Sequence, residues 1–376
     1  MENPLESWIR REIGAAGPVP FERFMEWVLY HPEQGYYAAG RANPGRDEGD
    51  FTTAPQISRL FGRCFARLLQ AADEALGRPS PFHLVEGGAG EGRLGRDILD
   101  AVLECGSGLY ERLVYVPEES GAVWEEPQER MLGSHGPRLS RSAPPDFEGV
   151  YVSNELLDAF PVHRLTRRGR EILEIHVGAA EDGFAEVLLP PSRPELMEYL
   201  SAEGIEVCDG CEVEVSLGVL SWMAGVAARL RRGYVVTVDY GDESGRLYGP
   251  QRPRGTCVAY RKHRLSRDLL SEPGRRDLTA HVNFSALLRA GRGAGLEAGP
   301  LLKQRDFLFA LGLLAEVEAM EDHGLSEVEL IQARRALAPL IFPGDGMGEA
   351  FKVLVQAKNA PLAGLRLDPS APLPCT

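Results

Sequence analysis

From residue 81 onward, the chain repeats one pattern: a short apolar run ends at a glycine or an acidic residue, and helix-like spacing of apolar residues follows. Alternation of strand and helix signals is typical of an α/β fold built on a parallel sheet. The runs that we interpret as strands are "FHLVE", "RLVYVPE", "GVYVSNE" and "YVVTVDYG". Open sheets of this kind bind ligands at the carboxyl ends of their strands. We therefore expect the functional residues to follow these runs.

The chain of 376 residues is long enough for one large domain with insertions or for two domains. Helical spacing predicts N-terminal helices, and an alternating apolar and polar segment predicts a β-meander inserted between the last two strands. The predicted parts are, in order, a helical lead-in at 1–80, a core at 81–241 with the meander at about 162–216, a loop and helical insertion at 242–345, a terminal core strand at 346–360 and a flexible tail at 361–376.

The charge balance limits the partners. Lys and Arg total 41 and Asp and Glu total 55, so the net charge of −14 disfavours loose binding to nucleic acid or anionic membranes. The start of the chain lacks the apolar stretch of a secretory signal, and the densest apolar run, "FLFALGLLA", is too short to span a membrane. The six cysteines do not form a disulfide framework. These features predict a cytoplasmic protein without membrane insertion.

The segment "VEGGAGEGRLG", Val85–Gly95, joins the first predicted strand to a helix and fits two nucleotide-binding patterns. Gly90, Gly92 and Gly95 match the G-x-G-x-x-G pattern of dinucleotide sites, whereas Glu86 begins an E-x-G-x-G-x-G pattern. A carboxylate at the strand end repels a pyrophosphate but attracts an ammonium group. This argument favours S-adenosylmethionine over a nicotinamide or flavin cofactor.

The next strand should end with an acid that hydrogen-bonds the ribose hydroxyls, and we assign this role to Glu118, with Glu119 as the alternative. Upstream, "GDFTTAP" is interpreted either as a substrate-side lid that includes Asp50 and Phe51 or as a plain helix start at Thr53. The predicted cofactor-binding residues are Glu86, Gly88, Gly90, Gly92, Glu118 and Thr53.

Several longer segments resemble the MidA-like methyltransferases, the group that includes the mitochondrial assembly factor for respiratory complex I. The matching segments, in family order, are "FERFMEWVLYHPEQGYY", "GDFTTAPQIS", "LVEGGAGEGRLGRDIL", "VSNELLDAFPV", "VDYG", "PGRRDLTAHVNF" and "GMGEAFKVL". They cover the chain from about residue 18 to 357. The glycine loop departs from the usual E-L-G-P-G-R-G at Gly87, Ala89 and Glu91.

The resemblance implies a Rossmann-like class I methyltransferase fold, with a doubly wound, seven-stranded, mostly parallel sheet, N-terminal helices, the inserted β-meander and an added helical subdomain. It implies S-adenosylmethionine as the cofactor and a protein arginine as the methyl acceptor, since the mitochondrial member dimethylates an arginine of a complex I subunit. A complex I subunit is therefore the expected protein substrate. A homodimer remains one option for its assembly.

A guanidinium acceptor is always protonated, so carboxylates must bind two of its nitrogens and leave the third free for the methyl group. "SNELLDAFP" offers such groups within about one turn, and we predict Glu155 as the main guanidinium ligand, with Asp158 and Asn154 beside it. The alternative is that Asp158 caps a turn and Asn154 satisfies backbone groups.

Two further segments offer polar groups near the expected acceptor. Asp239 and Tyr240 end the "YVVTVDYG" strand on the substrate side, and "DLTAHVNF" supplies His281, either as a catalytic base or as a packed structural residue. Cys208 and Cys211 form a C-x-x-C pair without the further ligands that zinc requires, so we predict no metal site. A small-molecule methyltransferase and a non-catalytic respiratory assembly factor remain the alternative functions.

Overall fold

The computed structural model describes residues 3–40, 52–142, 144–322, 327–342 and 346–368. They form two compact units. The first comprises the described residues before Thr52 together with Leu157–Trp222 and Gly241–Leu287, and the second comprises Thr52–Leu156, Met223–Tyr240 and the described residues from Leu288 onward.

The helices and strands of both units are numbered here in chain order. The α-helices are α1 (Pro4–Ala16), α2 (Phe21–Tyr30), α3 (Ala54–Ile57), α4 (Arg59–Ala75), α5 (Arg93–Cys105), α6 (Glu125–Leu132), α7 (Glu195–Ala202), α8 (Leu217–Arg229), α9 (Ser244–Leu247), α10 (Phe284–Gly293), α11 (Gln304–Ala310), α12 (Leu313–Asp322), α13 (Glu327–Ile341) and α14 (Met347–Ala350). The strands are β1 (Val19–Pro20), β2 (Phe82–Gly87), β3 (Leu113–Glu118), β4 (Phe147–Asn154), β5 (His163–Arg168), β6 (Glu171–Ala179), β7 (Phe184–Leu189), β8 (Glu212–Val215), β9 (Leu230–Asp242), β10 (Val258–Arg261), β11 (Arg264–Ser266), β12 (Asp277–Thr279), β13 (Val282–Asn283), β14 (Glu297–Ala298), β15 (Leu302–Lys303) and β16 (Phe351–Lys358).

The second unit is built on the predicted α/β sheet. Its strand order is β14-β16-β9-β4-β2-β3, with β15 also paired to β16. Strands β3, β2, β4 and β9 run parallel, and β16 is antiparallel to β9, as the sequence predicts for the terminal strand. The valine-rich strands are buried on both faces, which is the pattern expected of a parallel sheet covered by helices.

The α/β fold is confirmed, but the predicted number of seven strands differs from the structure. The described part of the sheet has eight strands, because the chain adds the two-residue strands β14 and β15 beside β16 and β13 beside the end of β9. A strand of two residues is too short to show an alternating pattern from which it could be predicted.

The first unit contains the inserted antiparallel strands. The predicted meander is present as β7, β6 and β5, and β8 pairs with β5 after the intervening helix α7. A separate three-stranded sheet has the order β11-β10-β12. The turn between α7 and β8 contains a disulfide that joins Cys208 and Cys211, with a Cα–Cα distance of 5.1 Å.

The two compact units divide the chain differently from two of the predicted parts. The lead-in at 1–80 is not one part, because α2 packs on β5 and β6 of the first unit whereas α4 packs on α5 of the second. The insertion at 242–345 is also divided, at Leu287 within α10. Amphipathic periodicity identifies a helix and its apolar face but not the surface that covers that face.

Among the described residues, no helix has the length and apolar character needed to cross a membrane.

Helix α4 supplies much of the apolar core of the second unit. Phe65 on this helix is fully buried, and its ring meets that of Phe307 edge to face, with centroids 5.7 Å apart. Aromatic side chains of this size bury large apolar areas and dominate the energetics of a core. Helix α4 is therefore an integral part of the sheet unit.

Phe65→Ala should lower the free energy of unfolding by about 3–5 kcal/mol, because it removes buried surface and leaves a cavity. Urea unfolding measures the change. Leu314→Ala is the control, since this side chain in the same unit is 63% exposed and its loss should cost under about 0.5 kcal/mol. Equal losses for the two variants would contradict the central position of α4.

Candidate active site

The glycine loop lies between β2 and α5, at the carboxyl edge of the sheet. Gly88, Gly90 and Gly92 have φ values of 70°, 52° and 81°, in the left-handed region that side chains disfavour. A Cβ at Gly88 would also lie 2.9 Å from Leu156 Cδ1. The loop therefore requires glycine at these positions. Without side chains there, a ligand at the carboxyl edge of the sheet can approach the backbone closely.

The structure separates the two patterns that overlap in this loop. A Cβ at Gly95 would lie 2.2 Å from Tyr115 Cζ, so Gly95 is needed where α5 packs against the ring of Tyr115. Gly95 is the third glycine of the dinucleotide pattern, and packing alone explains its presence. The acid-led pattern, with its three left-handed glycines, is the one that describes the loop itself.

Glu86 lies beneath the loop and is 4% exposed. Its carboxyl accepts a hydrogen bond from the Tyr115 hydroxyl at 2.8 Å. Burial raises the pKa of Glu86 to about 8, while the Tyr115 hydroxyl opposes the shift. Glu86 is therefore mostly protonated at pH 7, and an ammonium group placed beside it would lower its pKa.

The two acids at the end of β3 have different partners. Glu118 forms an ion pair with Arg229 at 2.6 Å and accepts a hydrogen bond from the Tyr151 hydroxyl at 3.1 Å. Glu119 faces the glycine loop, where its carboxylate accepts the Gly90 N–H at 2.5 Å. The carboxylate of the first-choice acid, Glu118, is thus engaged by Arg229 and Tyr151, and the carboxylate of the alternative acid, Glu119, contacts the loop.

A residue that the sequence analysis missed also holds the loop. Gln128 on α6 is 2% exposed and donates from Nε2 to the Gly90 carbonyl at 2.9 Å. Its Oε1 accepts a hydrogen bond from Arg141 at 2.5 Å. The surrounding segment "EEPQERML" is polar and has no feature that distinguishes this glutamine.

Glu155 brings together three segments of the second unit. Its carboxylate accepts the Ala54 N–H at 3.2 Å and a hydrogen bond from the Asn154 side chain at 3.1 Å, and its own N–H donates to the Val238 carbonyl at 2.9 Å. Its φ of 53° is left-handed, which is strained for a residue with a side chain. Thr53 precedes Ala54 as the N-cap of α3.

The predicted residues at the end of β9 have local partners. Asp239 is fully buried, and its carboxylate accepts the Tyr240 N–H at 2.9 Å. The Tyr240 ring packs edge to face on Phe351, with centroids 5.4 Å apart. Asp239 also lies opposite Lys352 in the pairing of β9 with β16.

Asp158 and His281 belong to the first unit. Asp158 is 7% exposed, and its carbonyl accepts the N–H of Ala280, the residue before His281. Burial, followed by the charges of Asp277 and Asp158, raises the pKa of Tyr37, whose hydroxyl donates to Asp277 at 2.9 Å. The unit thus places two buried carboxylates near one tyrosine hydroxyl.

The remaining predictions concern the lid residues, a metal site and the C-x-x-C pair. Asp50 and Phe51 lie outside the described residues. Within the described part of the chain, no group of three or more His, Cys, Asp or Glu side chains is arranged to hold a metal ion. Cys208 and Cys211 form the disulfide of the first unit.

The parallel sheet, the acid-led glycine turn and the Glu119 carboxylate that accepts the Gly90 N–H fit a Rossmann-like methyltransferase with an adenosyl cofactor. The family model described as "Putative S-adenosyl-L-methionine-dependent methyltransferase" matches residues 62–300, and the chain belongs to this family. The chain is therefore an S-adenosylmethionine-dependent methyltransferase, as the sequence analysis predicts.

Relatives extend over nearly the whole chain. "Protein arginine methyltransferase NDUFAF7, mitochondrial" of Homo sapiens is 28% identical across 98% of this chain and 88% of its own length, and the Drosophila melanogaster homolog is 30% identical across 93% and 84%. A crystal structure from Burkholderia thailandensis bound to S-adenosyl-homocysteine is 33% identical, with a TM-score of 0.85 over 95% of this chain and 92% of that chain. The bound product of this neighbour agrees with the predicted cofactor.

The predicted cytoplasmic location is wrong by these comparisons, because the curated relatives are named as mitochondrial proteins.

Glu86→Gln should change the pH dependence of stability. The folded pKa of about 8 exceeds the ordinary value of 4.5, so protonated Glu86 favours the folded state. Its contribution is complete below the ordinary pKa and is lost progressively as the pH rises to the folded pKa. The glutamine variant should therefore gain on the order of a few kcal/mol relative to wild type between about pH 5 and 8.

Urea unfolding at several pH values measures this difference. Glu126→Gln, at a side chain that is 88% exposed, should leave the wild-type profile unchanged. Parallel pH profiles for wild type and Glu86→Gln would show that Glu86 ionises normally.

Proposed function

We propose that this chain transfers methyl groups from S-adenosylmethionine to guanidinium nitrogens of a protein arginine, and that the acceptor is a subunit of respiratory complex I. The carrying observation is that relatives named as protein arginine methyltransferases match more than nine-tenths of the chain. The placement of Glu155, a carboxylate held at the carboxyl end of β4, supports the proposal.

The glycine loop binds the cofactor in this proposal. Gly88, Gly90 and Gly92 allow close approach of the backbone, and Glu119 hydrogen-bonds the ribose hydroxyls from the end of β3. Glu86 accepts hydrogen bonds from the ammonium group of the cofactor, and the proton that its carboxyl loses passes to water. S-adenosylmethionine supplies an electrophilic methyl group on its sulfonium sulfur.

Glu155 binds the acceptor. Its carboxylate accepts hydrogen bonds from two guanidinium nitrogens, which localises the positive charge and orients the third nitrogen toward the methyl group. Asn154 orients this carboxylate through its side-chain hydrogen bond. Transfer forms a bond from nitrogen to carbon and breaks the bond from sulfur to carbon, after which the guanidinium nitrogen releases a proton to water.

Glu119→Gln should weaken the binding of S-adenosylhomocysteine by about tenfold or more, because it removes a charge-assisted hydrogen bond. Calorimetry with purified protein measures the dissociation constant, and Glu126→Gln on α6 is the exposed control. Wild-type affinity in the Glu119 variant would contradict the assignment of the ribose-binding acid.

Glu155→Gln should lower methyl transfer by about a hundredfold or more while leaving S-adenosylhomocysteine affinity within about twofold, since the group acts on the acceptor. The assay adds cofactor labelled in its methyl group to a mitochondrial lysate and identifies labelled arginines by mass spectrometry. Glu148→Gln is the matched control, because Glu148 lies on the same strand near its opposite end.

Label confined to the small-molecule fraction would replace the proposal with a small-molecule methyltransferase. Tight capture of a complex I subunit without labelled arginine would indicate a non-catalytic assembly factor.

A further inference from the structure

We infer that Arg229, Glu118 and Tyr151 form a positioning network that holds the glycine loop in its cofactor-binding geometry. The inference rests on the assignment of the glycine loop and Glu119 to the cofactor, as proposed above. All of these residues belong to the second unit. The role inferred for the three network residues is to act through the loop.

The first link joins the end of α8 to the end of β3. Arg229 donates from Nη1 to Glu118 Oε1 at 2.6 Å and from Nη2 to Glu118 Oε2 at 3.0 Å. The two side chains are 28% and 24% exposed, so solvent screens this ion pair less than a fully exposed one. A bidentate pair fixes the direction of the carboxylate as well as its position.

The second link crosses the end of β2. Tyr151 on β4 is 2% exposed and donates from its hydroxyl to Glu118 Oε2 at 3.1 Å. Strand β2 pairs with β3 on one side and β4 on the other, so this hydrogen bond spans the central strand. A Cβ at Gly87 would lie only 2.3 Å from the Tyr151 hydroxyl oxygen. The absence of a side chain at Gly87 therefore allows the phenol to reach Glu118.

The third link connects Glu118 to the loop itself. The Glu118 carbonyl accepts the Gly88 N–H at 2.9 Å, and the next residue, Glu119, accepts the Gly90 N–H at 2.5 Å. The two hydrogen bonds that hold the Gly88 and Gly90 N–H groups thus depend on the position of the backbone at the end of β3. A shift of Glu118 would therefore disturb both hydrogen bonds that hold the loop.

Arg229→Gln and Glu118→Gln should each weaken S-adenosylhomocysteine binding by about tenfold, the effect of one charge-assisted hydrogen bond. The double variant should lose little more than either single variant, because both substitutions break the same link. Arg229→Lys should recover part of the affinity, since it keeps the charge but loses the bidentate geometry. Tyr151→Phe should weaken binding by about threefold, as a neutral hydrogen bond contributes less.

A second measurement reports on the loop directly. Hydrogen exchange of the peptide that covers residues 85–95 should become faster in Arg229→Gln and Glu118→Gln, because the Gly88 and Gly90 amides lose protection. Arg231→Gln is the matched control. Arg231 is two residues further along the chain and pairs with Glu148 near the start of β4, with a side chain that is 62% exposed. It should leave both exchange and affinity unchanged.

Affinity within twofold of wild type in Arg229→Gln and Glu118→Gln, with unchanged loop exchange, would overturn the network. If Arg229→Gln fails to fold, Arg229→Lys and Tyr151→Phe carry the test, and wild-type affinity in both would overturn it equally. The Glu119→Gln variant separates the two proposals. If Glu119→Gln weakens binding but the network variants do not, the cofactor site stands and the network fails. If Glu119→Gln has no effect, the site assignment itself fails.

Discussion

The end of β2 has no space for side chains, and the cofactor site depends on this steric constraint. A Cβ at Gly87 would meet the Tyr151 hydroxyl at 2.3 Å, and one at Gly88 would meet Leu156 at 2.9 Å. Gly95 is limited in the same way by Tyr115 where α5 packs on the sheet. Side chains on and after the neighbouring strands thus leave no room for a Cβ at these glycines. The loop also needs glycine for its left-handed backbone torsions.

The acids at the strand ends are the second determinant of the site. Each is partly or fully buried, and a buried carboxylate needs a hydrogen-bond donor. Glu86 has Tyr115, Glu118 has Arg229, Glu119 has the Gly90 N–H, and Glu155 has the Ala54 N–H. These donors also set the direction of each carboxyl group. For Glu86, burial raises the pKa despite the hydrogen bond from Tyr115. Their arrangement decides which acids can receive a ligand.

Local patterns predicted much of the fold. The four parallel strands, the antiparallel terminal strand and the amphipathic helices all carry periodicities of their own. The unit to which each helix belongs could not be predicted from local patterns. Helices α2 and α4 have similar apolar stripes, yet α2 covers the inserted strands and α4 covers the sheet. The apolar stripe of a helix shows that a face is buried, but its partner surface comes from distant segments.

Residue order was enough to predict the strand, glycine turn and helix that we assign to the cofactor, since these need only local spacing and residues that tolerate left-handed torsions. The contact of the Glu119 carboxylate with the loop and the pairing of Glu118 with Arg229 depend instead on the packing of distant segments. Successive side chains of a strand point to opposite faces, and partners distant in sequence decide which face meets the ligand. Gln128 illustrates the same limit, because its role depends on a contact with Gly90, 38 residues earlier in the chain.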